Sequence, residues 1–333
     1  MEVIEQRLLG IAESSQAGEA RRLAQWMAER AGFDATDAGT VAIVASEVAT
    51  NLVKHARDAQ LLLYAEKGDP ARICVLALDR GPGIADLTSA LRDGVSSAGS
   101  PGTGLGAIGR LASEFDVYST PAGTALFAAV EPRRVARTSS SLRVGGISLP
   151  ITGETECGDG FAVVRAPSRT ALLVVDGLGH GPGAAVAAAA AIKAFRAHAA
   201  ESPKEQIARL HTALRGTRGA AASVAELDHE RRLVRFAGIG NVAGTIVTPE
   251  GTRSAVSHHG ILGHEVRRID EFTYPWPAGA AVVLHSDGLL TRWSLDPYPG
   301  LLRRHPMLGA GVLFRDFNRG RDDVTVLVAG EST

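Results

Sequence analysis

SEVATNLVKHA, residues 46–56, is the stretch on which the fold turns. It closes a helical pattern over residues 37–57, in which Val41, Val44, Ala45, Val48, Leu52 and Val53 form the apolar face. Glu47 and Asn51 stand four apart, so both project from one face about a turn from each other. A carboxylate in that place can orient a water or a substrate hydroxyl, and a neighbouring amide oxygen can ligate Mg²⁺. The pair by itself also fits an ordinary solvated helix face.

Outward from this helix, residues 18–31 repeat Ala20, Leu23, Ala24 and Met27 at helical spacing, and residues 61–65 and 72–78 read as strands. The second strand runs into Asp79-Arg-Gly-Pro-Gly83. A carboxylate at a strand end can accept the exocyclic amino group of adenine, while Gly81 and Gly83 let the backbone bend away beneath the ring. An ordinary turn explains the same residues. Next comes Gly102-Thr-Gly-Leu-Gly106, opening a helix over 105–114. Glycines at a helix start present N–H groups and the positive helix end to phosphates. No Gly-Lys-Ser/Thr follows, so this is not a P-loop, and no strand leads directly into it as a dinucleotide fingerprint requires. Strands at 115–118 and 124–130 end this half as a hairpin, a helix layer on an antiparallel or mixed sheet.

In this order the three motifs resemble the GHKL ATPases, within them the short serine kinases and anti-sigma factors of the RsbT/RsbW type. SEVATNLVKHA, LDRGPGI, GTGLGAIGRLASEFDVYS (102–119) and GTAL (123–126) carry the likeness over about residues 5–130. The resemblance implies ATP and Mg²⁺ as cofactors, with Glu47 as catalytic base and Asn51 as magnesium ligand. It places Asp79, Gly81, Gly83 and Thr124 around adenine, and Gly102, Thr103, Gly104, Leu105 and Gly106 under the phosphates. The lid between Gly83 and Gly102 is short, as in the small kinases.

Residues 133–146, rich in Arg, Ser and Gly, read as a linker between domains at 1–132 and 147–333. The second domain is strand-rich, with strands expected at 161–165, 171–175, 223–228, 233–238, 244–247, 281–285 and 324–329, and helices at 183–200 and 204–217. Many strands with two helices predict a sheet sandwich flanked by helices. Asp159, Asp176 and Asp287 each precede a glycine, and Asp322-Asp323 precedes an apolar strand. A lone Asp-Gly is most often a turn. Several beside apolar strands supply the clustered oxygens that hard divalent cations need.

CGDGFAVV (157–164), LLVVDGLGHGPGAAVAAAAAIKAF (172–195), FAGIGNVAGTI (236–246), VVLHSDGLL (282–290) and RDDVTVLV (321–328) resemble the PPM-type protein serine/threonine phosphatases, in particular the SpoIIE/RsbX branch. The likeness spans nearly all of residues 145–330. It implies Asp159, Asp176, Asp287 and Asp322 around two Mn²⁺ or Mg²⁺ ions, the Gly177 carbonyl as another ligand, and water attacking a phosphoserine. Asp323 is expected to support these ligands, and His180 is open between a general acid and a structural role. Asn241 is expected to shape a turn, and His258 and His259 to lie in a surface loop. Gly160 stands where many relatives carry a further acidic residue, and the short Pro- and Arg-rich segment 292–319 predicts reduced regulatory helices. The fold class is therefore α+β: an N-terminal GHKL α/β sandwich followed by a PPM-type β-sandwich flanked by helices.

The composition agrees with a globular protein: 333 residues, 45% hydrophobic and 21% charged, with 35 Lys+Arg against 36 Asp+Glu. A formal charge of −1 gives no global basic field for nucleic acid or acidic membranes. Cys74 and Cys157 are the two cysteines, too few for a disulfide scaffold and suited to a reducing cytoplasm. The N-terminus lacks a secretory pattern, and the apolar run at 184–192 is too short to span a bilayer. A cytoplasmic location is expected. The resemblances imply a STAS-domain antagonist as partner in a partner switch, with a sigma factor or a downstream phosphatase beyond it, and an oligomer is possible. The first half is open between a kinase, an ATP-dependent binding module and an ATP sensor.

Overall fold

The computed structural model describes residues 2–68, 70–91, 104–132 and 142–331. The chain divides into two compact units, Met1–Ser140 and Ser141–Thr333.

The first unit contains β1 (Glu2–Ile11), α1 (Ser14–Arg30), α2 (Ala35–His55), β2 (Ala59–Lys67), β3 (Arg72–Leu78), the short α3 (Leu87–Ala90), α4 (Leu105–Leu111), β4 (Glu114–Thr120) and β5 (Gly123–Val130). Its sheet has the order β1-β2-β3-β5-β4 and every pairing is antiparallel. Leu61, Leu63, Val75, Ala77, Leu126 and Ala128 join Ala24, Met27, Val44 and Val48 of the long helices in one core. Leu62, Leu76 and Phe127, on alternate positions, are buried as well, which is why these strands read as continuous apolar runs. The Asp34 side chain starts α2 by accepting from the Asp37 N–H at 2.8 Å. α4 ends at Leu111, three residues short of the expectation, and Glu114 already belongs to β4. β1 was not foreseen: it is an edge strand with a register shift between Val3 and Glu5, in which Ile11 is buried in the core and Leu9 packs partly buried against it.

The second unit contains β6 (Leu142–Leu149), β7 (Asp159–Ala166), β8 (Arg169–Gly177), α5 (Pro182–Ala197), α6 (Pro203–Ala213), β9 (Ala220–Asp228), β10 (Leu233–Ile239), β11 (Ala243–Thr248), β12 (Gly251–Ser254), β13 (Phe272–Pro275), β14 (Ala281–His285), α7 (Pro306–Phe317) and β15 (Val324–Glu331). Two five-stranded antiparallel sheets, ordered β13-β10-β9-β8-β7 and β12-β11-β14-β15-β6, stack face to face. α5 and α6 cover the first sheet and α7 covers the second. Small residues of α5, Ala184, Ala187, Ala188 and Ala191, let it lie close on β7 and β8.

One expectation is corrected. Residues 142–146, assigned to the linker, form the first part of β6 and pair with β15 from Leu142↔Glu331 to Leu149↔Val324. The Gly145-Gly146 pair resembles a hinge but is a packing device. A Cβ on Gly145 would collide with the Met307 backbone of α7, and one on Gly146 would lie 2.6 Å from the Phe161 ring. The segment 292–319 carries α7. α7 is buried from Pro306 to Arg315, so its apolar residues run round the helix without a solvent face. Among the described residues, no helix is long and apolar enough to cross a membrane.

Candidate functional sites

In the first unit, a cavity of about 630 Å³ opens at the C-terminal half of α2. Glu47, Asn51, Asp79, Gly83, Gly104, Leu105 and Thr124 all line it, so helix, strand end, turn and β5 converge on one space. The helix presents Glu47 and Asn51 because Val48, Ala49 and Leu52 beside them are committed to the core, Val48 and Leu52 also forming apolar wall of the cavity. Asp79 is buried at the end of β3. Its N–H donates to the Thr124 carbonyl at 3.0 Å, and its Oδ1 accepts from the Gly81 N–H at 2.6 Å. Gly81 thus holds the carboxylate in place without lining the cavity. Gly83 has φ +74°, and a Cβ there would run into the Thr120 carbonyl, so the turn requires glycine. Thr124 shares a 3.0 Å hydroxyl contact with Ser119, whose Oγ accepts from the Ile84 N–H at 2.8 Å. Gly106 lies in the first turn of α4 and is not among the lining residues. Gly102 and Thr103 lie outside the described residues.

In the second unit the acidic residues gather at one end of the sandwich. Asp159 opens β7 and Asp176 nearly closes β8, and the antiparallel register sets them directly opposite each other. Asp287 follows the end of β14, and Asp322-Asp323 precedes β15, its hydrogen-bonded neighbour. Asp159 is buried, and its Oδ2 has no hydrogen-bond partner. Burial first, and then the Asp176 charge, hold the Asp159 carboxyl well above the usual carboxylate range. Asp176 is pushed up to about 7 by burial and then by Asp287 and Asp322. Asp322 is raised by burial, with Asp287 and Asp323 adding to it. The site therefore concentrates negative charge that its own residues do not neutralise.

Among the described residues, no three acidic, histidine or cysteine groups are already drawn into a closed ligand shell. The donor set nevertheless fits a hard divalent cation: oxygen ligands only, a buried oxygen lacking a partner, and mutual repulsion that a cation would relieve. Gly177 sits beside these groups, its N–H donating to the Gly158 carbonyl at 3.0 Å.

Asp323 anchors the loop that precedes Asp159. Its Oδ1 accepts from the Ile151 N–H at 2.7 Å and its Oδ2 from the Gly158 N–H at 2.6 Å, pinning both ends of the loop that leads to Asp159. Replacing Asp323 with alanine would leave two amides without their acceptors. It is expected to cost about 2–4 kcal/mol, read as a lower denaturation midpoint of the C-terminal unit.

Asn241 was expected only to shape a turn. Its Nδ2 donates to Asp287 Oδ2 at 2.7 Å, and its amide also acts to lower the Asp176 carboxyl against the larger effect of burial. No sequence signal distinguishes it from other turn asparagines, because the contact exists only once β11 pairs with β14 in a register that sets Ala243 opposite His285 and brings Asn241 to Asp287. His180 points its Nδ1 at Glu154 Oε1, 2.8 Å away, is largely exposed, and its charge acts on Asp322. His258 is half-buried and pairs with Asp270 Oδ2 at 2.8 Å, while His259 is exposed.

The comparisons with known proteins follow the same division. The model of the histidine kinase-like ATPase domain matches residues 11–129, and that of stage II sporulation protein E (SpoIIE) matches residues 166–330. The serine/threonine-protein kinase RsbT of Bacillus subtilis (strain 168) is 33% identical over 102 residues, 30% of this chain and 76% of RsbT. A solved structure described as "The bacterial stressosome: a modular system that has been adapted to control secondary messenger signaling" is 30% identical, with a TM-score of 0.54, covering 56% of this chain and 98% of that one. The chain carries a histidine kinase-like ATPase domain followed by a SpoIIE-type phosphatase domain. The phosphoserine phosphatase RsbX of the same Bacillus strain is 28% identical to it over 138 residues, 41% of this chain and 69% of RsbX. Magnesium-bound RsbX, at 24% identity and TM-score 0.52, covers 59% of this chain and 98% of its own and shares the fold. The acidic end of the sandwich therefore lies in the phosphatase domain, and the 630 Å³ cavity in the ATPase domain.

Proposed function

We propose that this chain is a two-domain regulator of protein phosphorylation. Its phosphatase domain removes phosphate from a serine or threonine of a partner protein, and its ATPase domain is an RsbT-like protein kinase. The observation that carries the phosphatase reading is the uncompensated acidic cluster with its orphaned Asp159 oxygen. Asp159, Asp176, Asp287 and Asp322, with the Gly177 carbonyl, would hold two Mg²⁺ or Mn²⁺ ions. When bound, such a pair supplies an acidified water and a clamp on the phosphoryl oxygens. Asn241 keeps the Asp287 carboxylate aimed, and Asp323 keeps the loop before Asp159 closed.

The kinase reading rests on Glu47, Asn51 and Asp79 sharing one cavity. Asp79 would accept from the adenine amino group, with Thr124 beside it. Asn51 would ligate the magnesium of Mg·ATP, and the backbone around Gly104 and Leu105 would face the phosphates. Glu47, one turn from Asn51, would take the proton from the partner's attacking hydroxyl. The named relatives, a kinase RsbT, a phosphatase RsbX and a stressosome structure, support a STAS-domain antagonist as the partner in a stress or sigma-factor switch. A cytoplasmic location fits this reading.

Incubating the purified protein with labelled ATP and STAS-domain proteins, with and without Mn²⁺, tests both activities together. Label transferred without Mn²⁺ and released with it is the expected result; neither transfer nor release sinks the proposal. The two domains should also respond separately to substitution. Asn51→Ala loses a magnesium ligand, and Asp79→Asn places an amide donor opposite the adenine amino group. Each is expected to weaken Mg·ATP binding about tenfold or more by calorimetry, with hydrolysis of an aryl phosphate near normal. ATP binding unchanged in both variants would contradict the nucleotide site.

A further inference from the structure

A second cavity, of about 510 Å³, adjoins the acidic end of the phosphatase domain. Asp287 and Asp322 form part of its wall, and Leu290, Asn318, Arg319 and Arg321 form the rest. Its position and charge pose a physical problem for the reaction. A phosphomonoester is a dianion, and to reach ions held by Asp287 and Asp322 it must pass the carboxylates themselves. The cavity's two cations, Arg319 and Arg321, stand on that approach.

The two arginines differ in what holds them. Arg319 is tied to the neighbouring loop: its N–H donates to the Gly288 carbonyl at 2.9 Å and its Nη2 to Thr291 Oγ1 at 2.9 Å. Arg321 is exposed and makes no hydrogen bond or ion pair among the described residues. The segment that carries it is nevertheless anchored. The Leu290 N–H donates to the Phe317 carbonyl at 2.9 Å, and Asn318 Oδ1 accepts from the Gly320 N–H at 2.9 Å. A long cation without a partner is thus held at the cavity wall, one residue before a carboxylate of the acidic cluster. The guanidinium fork matches two phosphoryl oxygens at once.

We propose that Arg321 is the phosphate-recognising residue of the phosphatase domain, gripping the phosphoryl oxygens of the incoming phosphoserine or phosphothreonine. The inference rests on the phosphatase reading above and adds the residue that draws the dianion in. Arg319 serves as the staple that holds the segment against the Asp287 loop.

The test uses the full chain in Mn²⁺, with p-nitrophenyl phosphate as substrate and inorganic phosphate as inhibitor. R321A is expected to raise KM for the aryl phosphate at least tenfold and the inhibition constant for phosphate by a similar factor, the loss of a charge-assisted bidentate contact. The fall in kcat should be smaller than the rise in KM. R321K, a point charge without the fork, should recover part of the loss. Mn²⁺ affinity measured by calorimetry should match wild type in R321A, which separates phosphate recognition from damage to the ligand carboxylates. An active wild type with R321A at wild-type KM and phosphate inhibition overturns the inference alone. So does a KM effect seen with a phosphoprotein but absent with the aryl phosphate, since Arg321 would then contact the protein around the phosphate. A wild type inert toward p-nitrophenyl phosphate in Mn²⁺ overturns the phosphatase reading and the inference with it.

Discussion

Replacing Asp287 with alanine should lower metal-dependent phosphatase turnover by roughly two orders of magnitude or more, the scale of losing one element of a preorganised electrostatic site. Asp287 stands at the centre of the acidic end: it raises the Asp176 carboxyl, contributes to the rise at Asp322 and is held by Asn241 at 2.7 Å. The same repulsion makes a second outcome measurable. Without metal, Asp287→Ala should be no less stable than wild type, because removing one charge relieves the others. Added Mn²⁺ should raise the melting temperature of wild type and leave the variant almost unmoved, since a ligand stabilises only the state that binds it. Wild-type turnover on a phosphoserine substrate in this variant would refute the metal assignment, as would equal stabilisation of both proteins by Mn²⁺.

The second large effect concerns Glu47. A general base contributes to the transition state much more than to ground-state ATP affinity. Glu47→Ala is therefore expected to keep ATP affinity within a few-fold and to lose phosphotransfer to the partner by roughly two orders of magnitude or more. The geometry behind this is the shared cavity, with Glu47 and Asn51 a turn apart on α2 and Asp79 on the opposite strand end. The measurement requires the Asp287→Ala background, because an attached phosphatase would erase the product and imitate an inactive kinase. If that background protein, with Glu47 intact, labels no STAS-type partner that it demonstrably binds, the ATPase domain is an ATP-dependent grip and not a kinase.

Much of this architecture was legible because local chemistry and burial coincide. The period of α2 exposes Glu47 and Asn51 for the same reason that it buries Val48 and Leu52, so one pattern located both the helix and its polar pair. The apolar runs of β3, β8, β14 and β15 ended where the carboxylates stand, which marked Asp79, Asp176, Asp287 and Asp322 before any fold was considered. Other elements carried no such coincidence. β1 mixes partly buried with exposed residues, meets the core through Ile11 and Leu9, and takes its register from β2.

By itself the sequence determined the strongly apolar elements that frame both sites and the residue types that could do chemistry, because both depend on neighbours along the chain. Tertiary structure alone decided which of those residues meet. Asp159 and Asp176 face each other through the β7–β8 register, and Asn241 reaches Asp287 through the β11–β14 register. Asp323 closes a loop whose bonded amides lie 172 and 165 positions away in the chain. The glycine pair at 145–146 shows the limit most plainly. Two residues without side chains suit a flexible joint as well as a crowded strand, and only the arrival of α7 on one and Phe161 on the other makes β6 the outcome. Contacts between distant segments leave no periodic mark in the chain, since each partner needs only to be the right size when the other arrives.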